Sequence, residues 1–308
     1  MRVVSLIASA TEIVCALGFE SALVGVSHEC DHPASVKTLP RLTSPSIDVG
    51  ASSAAIDKAV RAAARDALSI YRVDDAALAA LKPDLLITQT QCEVCAVSLK
   101  DVEAALAKRL GLTPKIVSLT PNSLSDLRAD VRRVAAALGD PERGEALVEA
   151  IDDRMARAAR GVSRRELARR SVAVIEWMDP LMSAGNWTPT LVERAGGRDL
   201  FGAAGKHSGV LDWAAVVAAD PEVLIVAPCG FDLARTRGEL AALTGRPGFA
   251  VLRAVKDKRT FIADGNAYFN RPGPRVAETL EALVEMIHPD LAAIAAGRTW
   301  QGSVFEPL

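Results

Sequence analysis

The chain has little of what most nucleic-acid, membrane and catalytic proteins advertise. It carries no basic tract, and its formal net charge is only -2. A phosphate-backbone partner is therefore excluded as the main business of the protein. No apolar run reaches the roughly 18 residues that a membrane helix needs, so no membrane insertion is expected. There are only four histidines, and no nucleophile, base and acid fall into a recognisable arrangement. No glycine-rich loop of the phosphate-cradling kind opens either half of the chain. Cysteine is sparse and odd in number, at five. The pattern does not suit the disulfide framework of a small secreted domain.

What is present is a soluble globular balance, half hydrophobic and about a quarter charged. The 308 residues are long for one core and comfortable for two. Met1-Arg2 followed by Val3 to Ala10 imitates a very short signal peptide. The same stretch also reads as a first strand, Val3 to Ile7, and a capping box at Ser9-Ala10-Thr11-Glu12 that opens a helix ending at Gly18. The second reading explains more residues, and with it comes the expectation of a cytoplasmic protein; the alternative is periplasmic.

From Met1 to Leu119 strands and helices alternate. Val3–Ile7, Ala22–Val26, Leu85–Thr88 and Ile116–Leu119 are short branched-aliphatic runs. Helical patterns fall at Ala10–Leu17, Ala51–Leu68, Asp74–Leu81 and Leu99–Leu110. Such alternation predicts a parallel sheet covered by helices. From Ser123 to Gly161 the spacing is helical throughout, with Leu127, Val131, Val134, Leu138, Leu147, Ile151 and Met155 on one face. Despite the break at Gly139-Asp140-Pro141, this predicts one nearly continuous rod of roughly 55 Å, at about 1.5 Å per residue. Alternation resumes at Ser171, with strands at Val172–Ile175, Leu181–Ser183, Val223–Val226 and Thr260–Ile262. The expected division is an N-terminal α/β lobe over 1–121, a helical linker over 122–162 and a C-terminal α/β lobe over 163–308, with a ligand cleft between the lobes.

Ligands of an open parallel sheet bind beyond the carboxyl ends of its strands. Four of the five cysteines sit there: Cys30, Cys92, Cys95 and Cys229. Cys92-x-x-Cys95 has three readings: half of a zinc site, a redox pair, or two packed thiols. A complete zinc ribbon needs a second such pair, which the chain lacks. Cys30, with His28 or Cys229, would complete a four-ligand thiophilic site for zinc or a similar metal. Cys15 falls on the apolar face of the first helix and is expected in the core. His28-Glu29-Cys30-Asp31-His32 fits the spacing of a zinc-protease motif, but it follows a strand and precedes Pro33. The motif needs a helix, so that reading is rejected.

In the second half, Trp177 and Trp187 stand at strand-to-helix turns and suit a large flat ligand; each could equally close its own core. Trp213 is expected in the core. The loop from Asp264 to Pro274 carries Tyr268, Phe269, Asn270 and Arg271 at the same edge. His207 and Ser208 lie in a glycine-flanked stretch.

Several segments together resemble the substrate-binding proteins with a rigid helical linker that capture vitamin B12, haem or iron–siderophore chelates for ABC importers, and most of all their cobalamin-binding branch. They are Ser5-Leu6-Ile7-Ala8-Ser9-Ala10-Thr11-Glu12, Gly25-Val26-Ser27-His28-Glu29-Cys30-Asp31, Lys82-Pro83-Asp84-Leu85-Leu86, Ala195-Gly196-Gly197, Asp220-Pro221-Glu222-Val223 and Asp264-Gly265-Asn266-Ala267-Tyr268-Phe269-Asn270-Arg271-Pro272. The Lys-Pro-Asp and Asp-Pro-Glu strand entries mark the fold more than the ligand. The resemblance implies two Rossmann-like lobes on central parallel sheets, joined by the long helical linker. It implies a binder rather than an enzyme, with cobalamin or a related corrinoid as ligand and an ABC permease as partner. The ligand-binding residues implied are Ser27, His28, Glu29, Trp177, Trp187, Ser208, Tyr268, Phe269, Asn270 and Arg271. The same fold group resembles tetrapyrrole metal chelatases, which supply the enzyme alternative. A metal or redox protein built on the cysteine loops is the other.

Overall fold

A computed structural model describes residues 1–65, 70–89, 114–163 and 168–308. The expected helix at Leu99–Leu110, and Cys92 and Cys95, lie outside the described residues. The chain divides into two compact units. One is built on Met1–Ala51, Ala55–Pro121 and Ser125–Glu149, the other mainly on Ala150–Leu308.

The first unit carries a four-stranded sheet in which every pairing is parallel. Its strands are β1 (Val3–Ser5), β2 (Leu23–Val26), β5 (Leu85–Gln89) and β6 (Lys115–Leu119), in the order β2-β1-β5-β6. All five residues of β5 are buried, as a central strand covered on both faces requires. β3 (Thr43–Pro45) and β4 (Tyr71–Val73) form a separate antiparallel pair. Among the described residues, the helices before β5 are α1 (Ala8–Ala16), α2 (Ser53–Arg65) and α3 (Asp75–Leu81).

The capping box expected at the chain start does not form. Ile7 is the N-cap of α1 and makes no side-chain cap bond. Ser9 and Glu12 are buried instead. The stop is as expected: Gly18 takes φ +82°, and the amides of Gly18 and Phe19 donate back to the carbonyls of Cys15 and Val14, the paired bonds of a Schellman turn. Cys15 is half-buried rather than a core residue. Burial, reinforced by Glu20 and Glu12, pushes its thiol up to about 12.

The predicted rod is two helices, α4 (Leu124–Leu138) and α5 (Pro141–Ser163). They are not one line. Gly139 takes φ +88°, Arg132 donates to Glu145 at 2.8 Å, and a Cβ on Gly144 would lie 2.6 Å from that of Ala135. Thirteen residues of straight helix would span about 20 Å, so the chain turns back and the first turn of α5 packs on the last turns of α4. Periodicity sees the apolar face of each helix but not the angle between them. Leu127, Val131, Val134, Ile151 and Met155 are buried as that face predicts.

The second unit carries a six-stranded sheet on β7 (Arg170–Met178), β8 (Leu181–Ser183), β9 (Gly197–Asp199), β10 (Val223–Val226), β11 (Thr260–Ala263) and β12 (Phe305–Pro307), in the order β12-β11-β10-β7-β8. β7, β10 and β11 run parallel at its centre. β7 is long enough to pair with β9 at Arg170–Val172 and with β8 beyond Ile175, along one edge. β8 and β12 are antiparallel additions. The helices are α6 (Thr188–Arg194), α7 (Trp213–Ala219), α8 (Leu233–Glu239), α9 (Ala241–Thr244), α10 (Arg253–Lys256), α11 (Val276–Ile287) and α12 (Ala292–Ala296). α11 is buried along nearly its whole length.

Candidate functional site

In the first unit the turn after β2 is built by hydrogen bonds to its own backbone. The Ser27 amide donates to the carbonyl of Ser5, and the Glu29 amide to the hydroxyl of Ser27 at 3.2 Å. One nitrogen of Arg41 donates to the carbonyls of Ser27 at 2.9 Å and Cys30 at 2.6 Å. These bonds fix a turn where the zinc-protease motif would need a helix.

Cys30 points inward, with 1% of its surface exposed. Its sulfur lies 3.0 Å from the hydroxyl of Thr11 and 3.4 Å from that of Ser27, and Thr11 donates to the Ser5 hydroxyl at 2.8 Å. This is a buried hydroxyl–thiol cluster. Among the described residues no group of three or more His, Cys, Asp and Glu side chains could hold a metal ion.

His28 is held at both its backbone and its ring. Its amide donates to the Thr43 hydroxyl at 3.0 Å, and Nδ1 lies 2.7 Å from the same oxygen. The ring stands 5.2 Å from that of Tyr71. Tyr71 donates to Glu29 at 3.1 Å, and the same carboxylate oxygen lies 4.0 Å from His28 Nε2. Burial, helped by the charge of Arg41, pushes the His28 imidazole below its ordinary range. At neutral pH it is therefore an uncharged base. With the proton on Nδ1 toward Thr43, Nε2 offers its lone pair, the form in which imidazole binds metals.

In the second unit the ends of β7 and β10 build an aromatic–cation step. Trp177 and Phe231 have ring centroids 5.3 Å apart, and the Arg235 guanidinium sits 4.4 Å over Phe231. Trp177 Nε1 donates to the Asp179 carbonyl at 3.1 Å. Asp232 caps α8 by accepting from the Arg235 amide at 2.7 Å, and Arg235 pairs with Glu239 at 3.1 Å. Trp177 is only part-buried. Cys229 is exposed beside this step.

Behind Trp177, Glu176 accepts from the Ser208 hydroxyl at 2.5 Å and from the Gly185 amide at 3.4 Å. Burial raises its pKa, and the Ser208 bond opposes the rise. Trp187 is 4% exposed and belongs to the core of this unit. Phe269 is buried too. Asn270 donates to the Ala227 carbonyl at 2.9 Å, and the buried Arg271 to Asn266 at 3.1 Å. A Cβ on Gly265 would fall 2.0 Å from the Pro228 carbonyl oxygen. The Gly265–Phe269 turn is thus clamped onto the end of β10. Tyr268 is part-buried, 4.8 Å beneath Arg275 and 6.3 Å from Trp300. Trp213 is part-buried as well, and donates to the Pro247 carbonyl at 2.7 Å.

Sequence reading missed Thr43, Tyr71, Arg41, Glu176, Phe231 and Arg235. Tyr71 had a signal, being one of only two tyrosines. Arg235 had none, since a helix arginine is normally a solvated one.

The two sheets with their helices define a two-lobe α/β protein. The chain belongs to the family described as periplasmic binding protein, whose model matches residues 3–267. This is a family of substrate-binding proteins, not of enzymes, in line with the expected binder. An uncharacterised ABC transporter substrate-binding lipoprotein of Bacillus subtilis, YvrC, is 24% identical over 94% of this chain and 80% of its own length. A periplasmic heme binding protein from Pseudomonas aeruginosa superposes with a TM-score of 0.71 at 23% identity, covering 99% of this chain and 97% of its own. The periplasmic vitamin B12 binding protein BtuF of Vibrio cholerae gives 0.63 at 18%, with 93% and 96% covered. These findings overturn the expected cytoplasmic location and point outside the cytoplasmic membrane. The expectation rested on Val3 to Leu17 being structural. They are, as β1 and α1, but a folded first strand says nothing about compartment.

Proposed function

We propose that the protein captures a metal-centred tetrapyrrole, cobalamin or a related corrinoid first among them, and presents it to an ABC permease. The observation that carries this is the Trp177–Phe231–Arg235 step. A part-exposed indole gives a flat apolar face, and an adjoining guanidinium suits the carboxylate or phosphate groups that such chelates carry. The neutral His28 supports the reading from the other unit, because an imidazole fixed through Nδ1 suits the metal of a chelate. Ser27, Glu29, Ser208 and Tyr268 are proposed as polar contacts. Trp187, Phe269, Asn270 and Arg271 are proposed to act through the shape of the loops they hold. Haem is the second reading, favoured by the likeness to the haem-binding structure.

The test is an absorption titration of the purified protein with cyanocobalamin and, separately, with haemin. Saturable binding of one of them, weakened about tenfold or more by Trp177→Ala, is expected for a buried aromatic anchor. Failure of both to bind would overturn the proposal. Zinc or another thiophilic metal at Cys92 and Cys95, joined by Cys30 with His28 or Cys229, is a separate proposal. Elemental analysis reads it directly, and metal-free protein from zinc-supplemented cells would sink it.

A further inference from the structure

The second unit has a cavity lined from helices α5, α11 and α12. Its volume is about 560 Å³, and it is lined by Arg154, Arg157, Glu278, Glu281, Ala295, Ala296 and Arg298. The three arginines face two carboxylates, and the carboxylates are already committed. Arg154 donates to Glu281 at 2.7 and 2.8 Å and to Glu278 at 3.0 Å. Glu281 also accepts from the indole of Trp300 at 3.2 Å. Arg157 and Arg298 have no acidic partner among the described residues, and both are exposed. Arg298 is nonetheless placed, because its guanidinium lies 3.6 Å over the ring of the buried Trp300. That stacking holds its plane and leaves the N–H edge free to donate.

We propose that this cavity binds a small anion bearing a phosphate group. Two unneutralised guanidiniums match the near-dianionic charge of a phosphate monoester, and each offers the two-pronged donor geometry that phosphate oxygens accept. The alanines at 295 and 296 keep the wall low. The volume exceeds inorganic phosphate and falls within the range of sites for small organic ligands. The Arg154 pairs keep the two glutamates from answering Arg157 and Arg298, so the charge surplus is built into the wall. The site uses none of the residues proposed for the chelate.

Calorimetry of the intact protein with glycerol 3-phosphate and with inorganic phosphate tests this. Flotation with phosphatidylglycerol and phosphatidylcholine vesicles separates a free ligand from a lipid headgroup. The expected result is saturable binding of glycerol 3-phosphate that falls about fivefold or more in Arg157→Gln or Arg298→Gln and vanishes in the double variant. Flotation with phosphatidylglycerol alone, lost in the double variant, would support the phosphate site and assign it to a headgroup. Binding unchanged in the double variant overturns the proposal. So does the absence of both saturable phosphate binding and preference for the anionic vesicles. Both arginines are exposed, so the variants should fold, and unaltered melting curves verify it.

Discussion

The approaches to β5 and β10 repeat one device. In each a short helix is capped by an aspartate, Asp74 for α3 and Asp212 for α7. Each helix ends on a non-glycine residue in the left-handed region, Lys82 at φ 44° and Asp220 at φ 43°. Proline follows, then an acid, then a buried strand. The acid reaches sideways to the start of the neighbouring strand. Asp84 accepts from the Arg2 amide at 2.7 Å; Glu222 accepts from the Ser171 amide at 2.8 Å and its hydroxyl at 3.2 Å. The difference lies in burial. The Asp84 side chain is 61% exposed, whereas that of Glu222 is 24% exposed and also pairs with Arg253 at 3.1 Å. One sequence pattern therefore sets strand register twice, but water can replace the acid in the first unit and not in the second.

The largest expected effect separates the two. Glu222→Ala leaves the amide of the buried Ser171 without its acceptor and should destabilise the second unit by about 2–3 kcal/mol. Asp84→Ala exposes the Arg2 amide to water and should cost about 0.5–1 kcal/mol. Denaturant unfolding followed by hydrogen exchange in each unit measures both. Equal costs would show that burial does not govern this device.

A second contrast concerns pH. His28 has its pKa lowered and Glu176 has its pKa raised, both mainly by burial. For His28 the unfolded chain binds more protons between the lowered value and the ordinary value near 6.5, so stability of the first unit rises with pH through that window. For Glu176 the folded chain binds more protons between about 4.5 and its raised value, so stability of the second unit falls as pH rises there. Glu176→Gln should remove the fall, and His28→Gln the rise. Melting curves at several pH values that keep both slopes in the two variants would refute these assignments. Should a metal chelate bind through His28, acidifying below its lowered pKa should release it.

Much of this was legible, and the limits have physical causes. The strands were readable because β1, β5, β7 and β10 are continuous aliphatic runs bounded by turn residues. The order of the helices over Ser123 to Gly161 was readable from apolar spacing. The fold-back was not, because Gly144 packing on Ala135 is a tertiary fact with no periodic signal. Trp187 and Trp177 look alike in sequence, each at a turn between strand and helix. Only packing separates a core indole from a part-exposed one. Thr43, Tyr71 and Arg41 reach the His28 turn across sequence gaps of 11 to 42 residues, and no local pattern announces such bonds.

The smallest predicted effect sharpens the opening comparison most. Lys82 and Asp220 hold the same left-handed backbone angle, and a non-glycine residue there costs about 1 kcal/mol. Glycine relieves that strain, though it gives back part of the gain by loosening the unfolded chain. The Lys82 side chain is exposed and makes no bond among the described residues. Lys82→Gly should therefore stabilise the first unit by about 0.5 kcal/mol. Asp220 differs, because its carboxylate accepts from the Arg253 amide at 2.7 Å and so holds the start of α10. Losing that bond outweighs the relief, and Asp220→Gly should destabilise the second unit by about 0.5–1 kcal/mol, the typical loss of a helix cap offset by the strain recovered. Asp220→Asn keeps an acceptor and tolerates the left-handed region, so it should lie close to the parent. Thermal melts of the three variants decide the matter by sign alone. If Lys82→Gly and Asp220→Gly shift the midpoint in the same direction, the side chain of Asp220 contributes nothing beyond its backbone angle.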